Sequence, residues 1–183
     1  MRRLFLGLAT LILSGQSIGA QIARTGLGGT YGLAQTSSSC SDCDGSESGI
    51  GGFYKVHWFA SNQLSVGIEA SDFRKSWSDG LKQSDAFFTF SAQYYPSNER
   101  EFFISGGIGR GRSSVDDGYD FAEITGLALS VGAGYDAHLS KSYYLTPFIK
   151  LNSTMSGRLN VSGNTSTGVN ATLFQLGVGI TER

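Results

Sequence analysis

The chain has 183 residues, with 14 Lys and Arg against 15 Asp and Glu, a net charge of −1, two histidines and two cysteines. Without a basic run, nucleic acid is excluded as an expected partner. Gly is abundant at 26 and Pro scarce at 2, with aromatic residues at 12%, a composition that suits closely packed strands better than helices.

Residues 1–20 read as a secretory signal peptide. Arg2 and Arg3 form a positive start, Leu4 to Leu13 form a short apolar run, and Ser17-Ile18-Gly19-Ala20 ends in small residues before Gln21. The apolar run is too short to span a bilayer as a helix, and no later segment has 18 continuous apolar residues. Residues 21–183 then form one domain, with a net charge of −3 once the two leader arginines are removed.

Eight stretches alternate large apolar residues with small or polar ones, the period-two signature of strands with one apolar face. The first covers about 24–35, with Leu27, Gly29, Tyr31 and Leu33 on one face. The second, about 50–60, sets Tyr54, Val56 and Trp58 against Lys55 and His57. In the third, about 63–73, Leu64, Val66, Ile68 and Ala70 oppose Ser65, Gly67, Glu69 and Ser71. The fourth, about 84–95, alternates most clearly, with Ala86, Phe88, Phe90, Ala92 and Tyr94 on one face. The fifth and sixth cover about 101–112 and 122–137. The seventh, about 142–153, sets Leu145, Pro147, Ile149 and Leu151 against Tyr144, Thr146, Lys150 and Asn152. The eighth, about 169–181, carries Phe174, Leu176, Val178 and Ile180 on its apolar face.

The connections alternate too. Ser61-Asn62, Pro96 to Arg100 and His138 to Lys141 are short turns, whereas 36–49, 74–83, 113–121 and 154–168 are longer and rich in Ser, Gly, Asp and Asn. This rhythm predicts an all-β fold: an eight-stranded antiparallel up-and-down transmembrane β-barrel with short periplasmic turns and longer extracellular loops. A soluble barrel such as a lipocalin also alternates, but its water-facing side is dense in Lys, Glu and Asp. Here the second face is mostly Gly, Ser and Thr, which suits a narrow lumen with lipid on the apolar side. Aromatics beside the short turns support the same orientation: Trp58, Phe59, Tyr94, Tyr95, Phe102, Phe103, Tyr135, Tyr143 and Tyr144. A periplasmic aromatic girdle is expected at Trp58, Tyr94, Phe102, Tyr135 and Tyr143, with Tyr54, Phe73, Trp77, Phe87 and Phe121 as candidates for an outer one.

The strand count, the turn–loop rhythm and the strand Thr172-Leu173-Phe174-Gln175-Leu176-Gly177-Val178-Gly179-Ile180 together resemble the small eight-stranded outer-membrane barrels of Gram-negative bacteria, the OmpA-like, OmpX-like and opacity-type proteins. The resemblance covers residues 21–183. It implies localisation in the cell outer membrane after export, contact with outer-membrane lipid and lipopolysaccharide, and handling by the barrel-assembly machinery. It also implies a final aromatic residue, where this chain ends Thr181-Glu182-Arg183, and no periplasmic peptidoglycan-binding domain is expected after the eighth strand.

An eight-stranded barrel is just wide enough for its side chains to fill. Lys55, His57, Glu69, Asp136 and Lys150 have inward parity and are expected to form a lumen charge network, because paired buried charges are tolerated where isolated ones are not. Cys40 and Cys43 enter an oxidising compartment, where a local disulfide is favoured over a metal half-site or free thiols. Asp42, Asp44, Glu47, Asp116, Asp117 and Asp120 read as solvated loop charge, and Arg110 and Arg112, near the outer rim, read as ordinary rim charge, with direct contact to lipid phosphates as the alternative.

No metal, cofactor or catalytic set is expected. His57 and His138 are too near the periplasmic end for chemistry on the outer leaflet. The expected role is structural or surface-interactive, through the extracellular loops and an unnamed extracellular ligand. The alternatives are a narrow channel or small apolar-solute conduit, and a lipid-modifying enzyme.

Overall fold

The computed structural model describes residues 26–40, 46–76, 80–97, 99–116, 121–161 and 164–183. The strands in chain order are β1 (Leu27–Cys40), β2 (Ser46–Phe59), β3 (Leu64–Ser76), β4 (Lys82–Tyr94), β5 (Phe102–Asp116), β6 (Phe121–Tyr135), β7 (Ala137–His138), β8 (Tyr143–Val161), β9 (Asn164–Val169) and β10 (Ala171–Glu182). Neighbours around the wall run β10-β1-β2-β3-β4-β5-β6-β8, and β10 pairs with β8 to close the ring. Every pairing is antiparallel. The architecture is a closed eight-stranded up-and-down barrel; the two-residue β7 and the short β9 are appendages of β8. Closure leaves no unpaired wall edge, which lipid would not tolerate.

Alternation sorts the side chains into two populations. Ile50, Tyr54, Val56, Phe90, Ile108, Leu129, Val131, Leu176 and Val178 are exposed on the outer wall. Lys55, Glu69, Thr89, Gln93, Lys150, Asn152 and Gln175 are buried inside. Registers align the outer residues into rows: Ala70, Phe88, Arg110 and Leu127 form one, and Ile68, Phe90, Ile108 and Leu129 the next towards the turns. A wall that exposes its apolar face and buries its polar one is the inverse of a soluble barrel and places hydrocarbon outside.

The strands run into stretches expected as loops. Residues 36–40, 46–49, 74–76, 82–83, 113–116 and 154–161 continue the ladder, and Asn164–Val169 pairs with the end of β8. Backbone pairing persists where side chains turn polar, whereas apolar alternation stops where lipid stops. Within β8, Ser156 at φ 50° and Gly157 form a bulge opposite Gly126, an extra residue that interrupts the ladder. The segment expected to be a signal peptide, Cys43, Trp77, Asp42, Asp44, Asp117 and Asp120 lie outside the described residues, as do the side chains of Cys40 and Glu47, so the expected disulfide falls there too.

Candidate functional site

The lumen is built from phenylalanine set against glycine. Phe53 stands opposite Gly32, Phe73 opposite Gly51, Phe87 opposite Gly111, and Phe103 opposite Gly134. Phe148 lies between Gly134 and Gly177. All five rings are buried. The missing side chain is what makes room: a Cβ on Gly111 would meet the Phe87 ring at 2.8 Å, and one on Gly134 would meet Phe103 Cε1 at 2.8 Å. Ring over glycine is a cross-strand pairing that restores packing where glycine leaves a gap. The rings gather into layers. Phe53 and Phe148 stack with centroids 4.8 Å apart. Phe59, Tyr95 and Phe103 close the turn end, and Phe73, Phe87, Ala128 and Leu173 fill the loop end.

Polar groups occupy the space between these layers. Lys150 forms a salt bridge with Glu69, and its Nζ donates to Ser71 Oγ at 3.2 Å. The same ammonium lies 5.3 Å from the centroid of Phe53, a favourable placement for a desolvated cation. Nearer the turns, Arg183 forms a salt bridge with Asp136. Asp136 accepts from Thr146 Oγ1 at 2.6 Å, which is 2.7 Å from Thr181 Oγ1, itself 2.9 Å from Thr30 Oγ1. Tyr95 Oη lies 3.2 Å from Asp136 and accepts from Arg183 Nη2 at 3.2 Å. The Arg183 guanidinium also stacks 4.4 Å from the Tyr144 centroid. A cavity of about 20 Å³ is bordered by His57, Glu69, Asp136 and Lys150, room for a water molecule. Among the described residues, Lys55 Nζ and both ring nitrogens of His57 make no hydrogen bond.

Among solved structures, Neisserial surface protein A overlaps with a TM-score of 0.61, at 19% identity over 85% of this chain and 96% of that one. Ail, the attachment invasion locus protein of Yersinia pestis, overlaps at 0.58, with 13% identity over 85% of this chain and 97% of its own. Its complex with the heparin analogue sucrose octasulfate gives 0.51, over 86% of this chain and 98% of that one. The fold is that of a small outer-membrane barrel. No family model and no curated protein matches the chain.

Lys55, His57, Glu69, Asp136 and Lys150 are all buried inside the barrel. Their partners differ from a single network. Glu69 joins Lys150, while Asp136 joins Arg183, a residue whose signal was the continued inward parity of Thr181. Trp58, Tyr94, Phe102, Tyr135 and Tyr143 are all exposed on the outer wall at the turn end.

Other aromatic expectations are corrected. Phe59, Tyr95 and Phe103 are buried inside, and half-buried Tyr144 stacks beneath Arg183. Consecutive strand residues point to opposite faces, so each aromatic pair supplies one outer ring and one inner ring. Phe73 and Phe87, expected in an outer girdle, are likewise internal, while Tyr54 and Phe121 do face outward. A lumen read as mostly Gly, Ser and Thr is thus filled by rings that the glycines accommodate. Arg110 and Arg112 are exposed on the outer wall, and Arg112 pairs with Glu123 at 2.5 Å. Exposed His138 packs edge-on against Tyr144, at 5.3 Å. Among the described residues, no three His, Cys, Asp or Glu side chains gather into a metal site.

Proposed function

We propose that this chain is an integral outer-membrane protein whose sealed barrel acts as a scaffold, with a structural or surface-interaction role at its loop end. The side chains packed in the lumen carry this reading: two aromatic layers bracket the Glu69–Lys150 bridge, and the cavity of about 20 Å³ beside the bridge is too small for a solute. The five lumen residues form a plug. The short turns face the periplasm, and Trp58, Tyr94, Phe102, Tyr135 and Tyr143 anchor that interface. Outer-membrane lipid and lipopolysaccharide surround the wall, the barrel-assembly machinery inserts it, and Cys40 and Cys43 close a disulfide in the first loop. The similarity to a surface protein and an attachment protein supports the surface role. Two measurements test the reading. Membrane-extracted protein should shift in gel mobility on boiling, and liposomes carrying it should retain a trapped sugar. Absence of a shift with recovery in the soluble periplasm, or rapid sugar release, contradicts it.

A narrow ion path is the second reading, favoured by the unpaired Lys55 and His57 groups near the water-sized cavity. A lipid-modifying enzyme has less support, since neither nitrogen of His57 meets an acid or hydroxyl among the described residues. Unchanged lipopolysaccharide by mass spectrometry after incubation with the protein removes that alternative.

A further inference from the structure

Charge enters the outer wall abruptly on the way from the turns to the loops. Across β3 to β6, the outward rows through Val66 and Ile68 carry no charged residue. The next row introduces Arg110, between Phe88 and Leu127. Arg112 stands in the row beyond, where Glu123 neutralises it. An arginine facing lipid is costly at the bilayer midplane and tolerated near the interface, so this row marks the outer edge of the hydrocarbon.

A third arginine reaches the same edge because of the bulge in β8. Met155 and Arg158 are three residues apart, so unbroken alternation would put them on opposite faces. The bulge sets the stretch from Met155 to Arg158 against the shorter stretch from Thr125 to Leu127 on β6. Met155 and Arg158 are therefore both exposed on the outer wall, opposite Leu127 and Thr125. Re-aiming a side chain is what a bulge does. This one holds Ser156, a residue with a side chain, in the left-handed region at φ 50°, where its N–H donates to Asn170 Oδ1 at 3.1 Å. Backbone of that kind is unfavourable unless its surroundings impose it.

Among the described residues, the side chains of Arg110 and Arg158 have no hydrogen-bond or ion-pair partner. Thr125 lies between them on β6, directly opposite Arg158 and two residues along from Leu127, which faces Arg110. The strands that carry the two arginines are two spacings apart, roughly 10 Å, so an anion set over Thr125 meets a guanidinium from each side. A depression of about 510 Å³ on the wall, bordered by Arg110, Arg112 and Thr125, gives it room. On the reading of a barrel whose loop end faces the lipopolysaccharide leaflet, we propose that Arg110, Thr125 and Arg158 form a site for one phosphate of lipid A, the bisphosphorylated glycolipid anchor of lipopolysaccharide. Each guanidinium donates to phosphate oxygens, the threonine hydroxyl donates to another, and acyl chains lie along the uncharged rows. Arg112 is held out of the site by Glu123.

The test is native mass spectrometry of the barrel released from nanodiscs that hold bisphosphorylated lipid A and phosphatidylglycerol in equal amounts, and from a second set in which the lipid A has been stripped of its phosphates. Heat-modifiable mobility is measured on each sample first; its absence in the unaltered protein contradicts the membrane reading itself, and variants are compared only in their inserted fraction. One retained molecule of bisphosphorylated lipid A is expected, in preference to the other two lipids. The paired change Arg110→Gln and Arg158→Gln should lower its occupancy about tenfold or more. Arg74→Gln with Lys82→Gln removes the same charge from exposed positions on β3 and β4 and should leave the occupancy unchanged. Glu123→Gln, which frees Arg112, should not lower it. An inserted barrel that retains no lipid A, retains phosphatidylglycerol or the stripped glycolipid equally well, is unaffected by the Arg110 and Arg158 changes, or is weakened as much by the Arg74 and Lys82 changes overturns the proposal.

Discussion

Lys150 on β8 and Glu69 on β3 form a salt bridge between diametrically opposite walls of the barrel. Four strand positions separate β3 from β8 in either direction around the ring, so the pair spans the lumen. A bond across the diameter fixes wall shape as well as charge.

Breaking this pair on one side should therefore be costly. Glu69→Gln leaves a buried ammonium without its counter-ion, and Lys150→Met leaves a buried carboxylate. Each single change is expected to lower unfolding stability by about 3–5 kcal/mol, while the double change costs much less because neither charge remains. Urea unfolding of the four proteins in one detergent or lipid system measures the coupling. Additive losses contradict a direct bridge.

Rings and glycines should be interdependent. Gly134 lies between Phe103 and Phe148 in adjoining registers. Gly134→Val is expected to block assembly or cost several kcal/mol, because the added side chain overlaps Phe103. Combining it with Phe103→Ala should recover part of the heat-modifiable fraction. No recovery argues that Gly134 serves the backbone rather than the ring.

The outer wall should reject charge at its middle. Phe90, 67% exposed, lies at the centre of the outward apolar stretch Ala86–Tyr94 of β4. Phe90→Arg is expected to destabilise the bilayer-inserted barrel by about 2–4 kcal/mol. A water-facing residue of a soluble barrel would accept the change with little effect, so refolding into lipid vesicles distinguishes the two environments.

Much of this architecture is legible in the sequence, because period two is local and lipid enforces it. Leu64, Val66, Ile68 and Ala70 declare their face without reference to any distant residue. The inner face is harder to read. Phe148 is flanked by Pro147 and Ile149 and interrupts no apolar pattern; that it fills the lumen depends on Gly134 and Gly177, which register brings beside it from two other strands. Ion-pair choice depends on the same closure. Lys55 is aligned with Glu69 on the neighbouring strand, yet Glu69 bonds Lys150 across the ring. Local spacing shows that these charges face inward, whereas partner choice follows from where the walls meet.

The sealed lumen is tested most directly by single-channel recording of the folded, heat-modifiable protein in planar bilayers, with insertion verified by recovery from the membrane. A barrel filled by Phe53, Phe148, Phe59, Tyr95 and Phe103 around the Glu69–Lys150 bridge is expected to give a flat baseline with no discrete steps. Reproducible conductance steps from inserted protein would contradict the account and favour the narrow ion path beside Lys55 and His57.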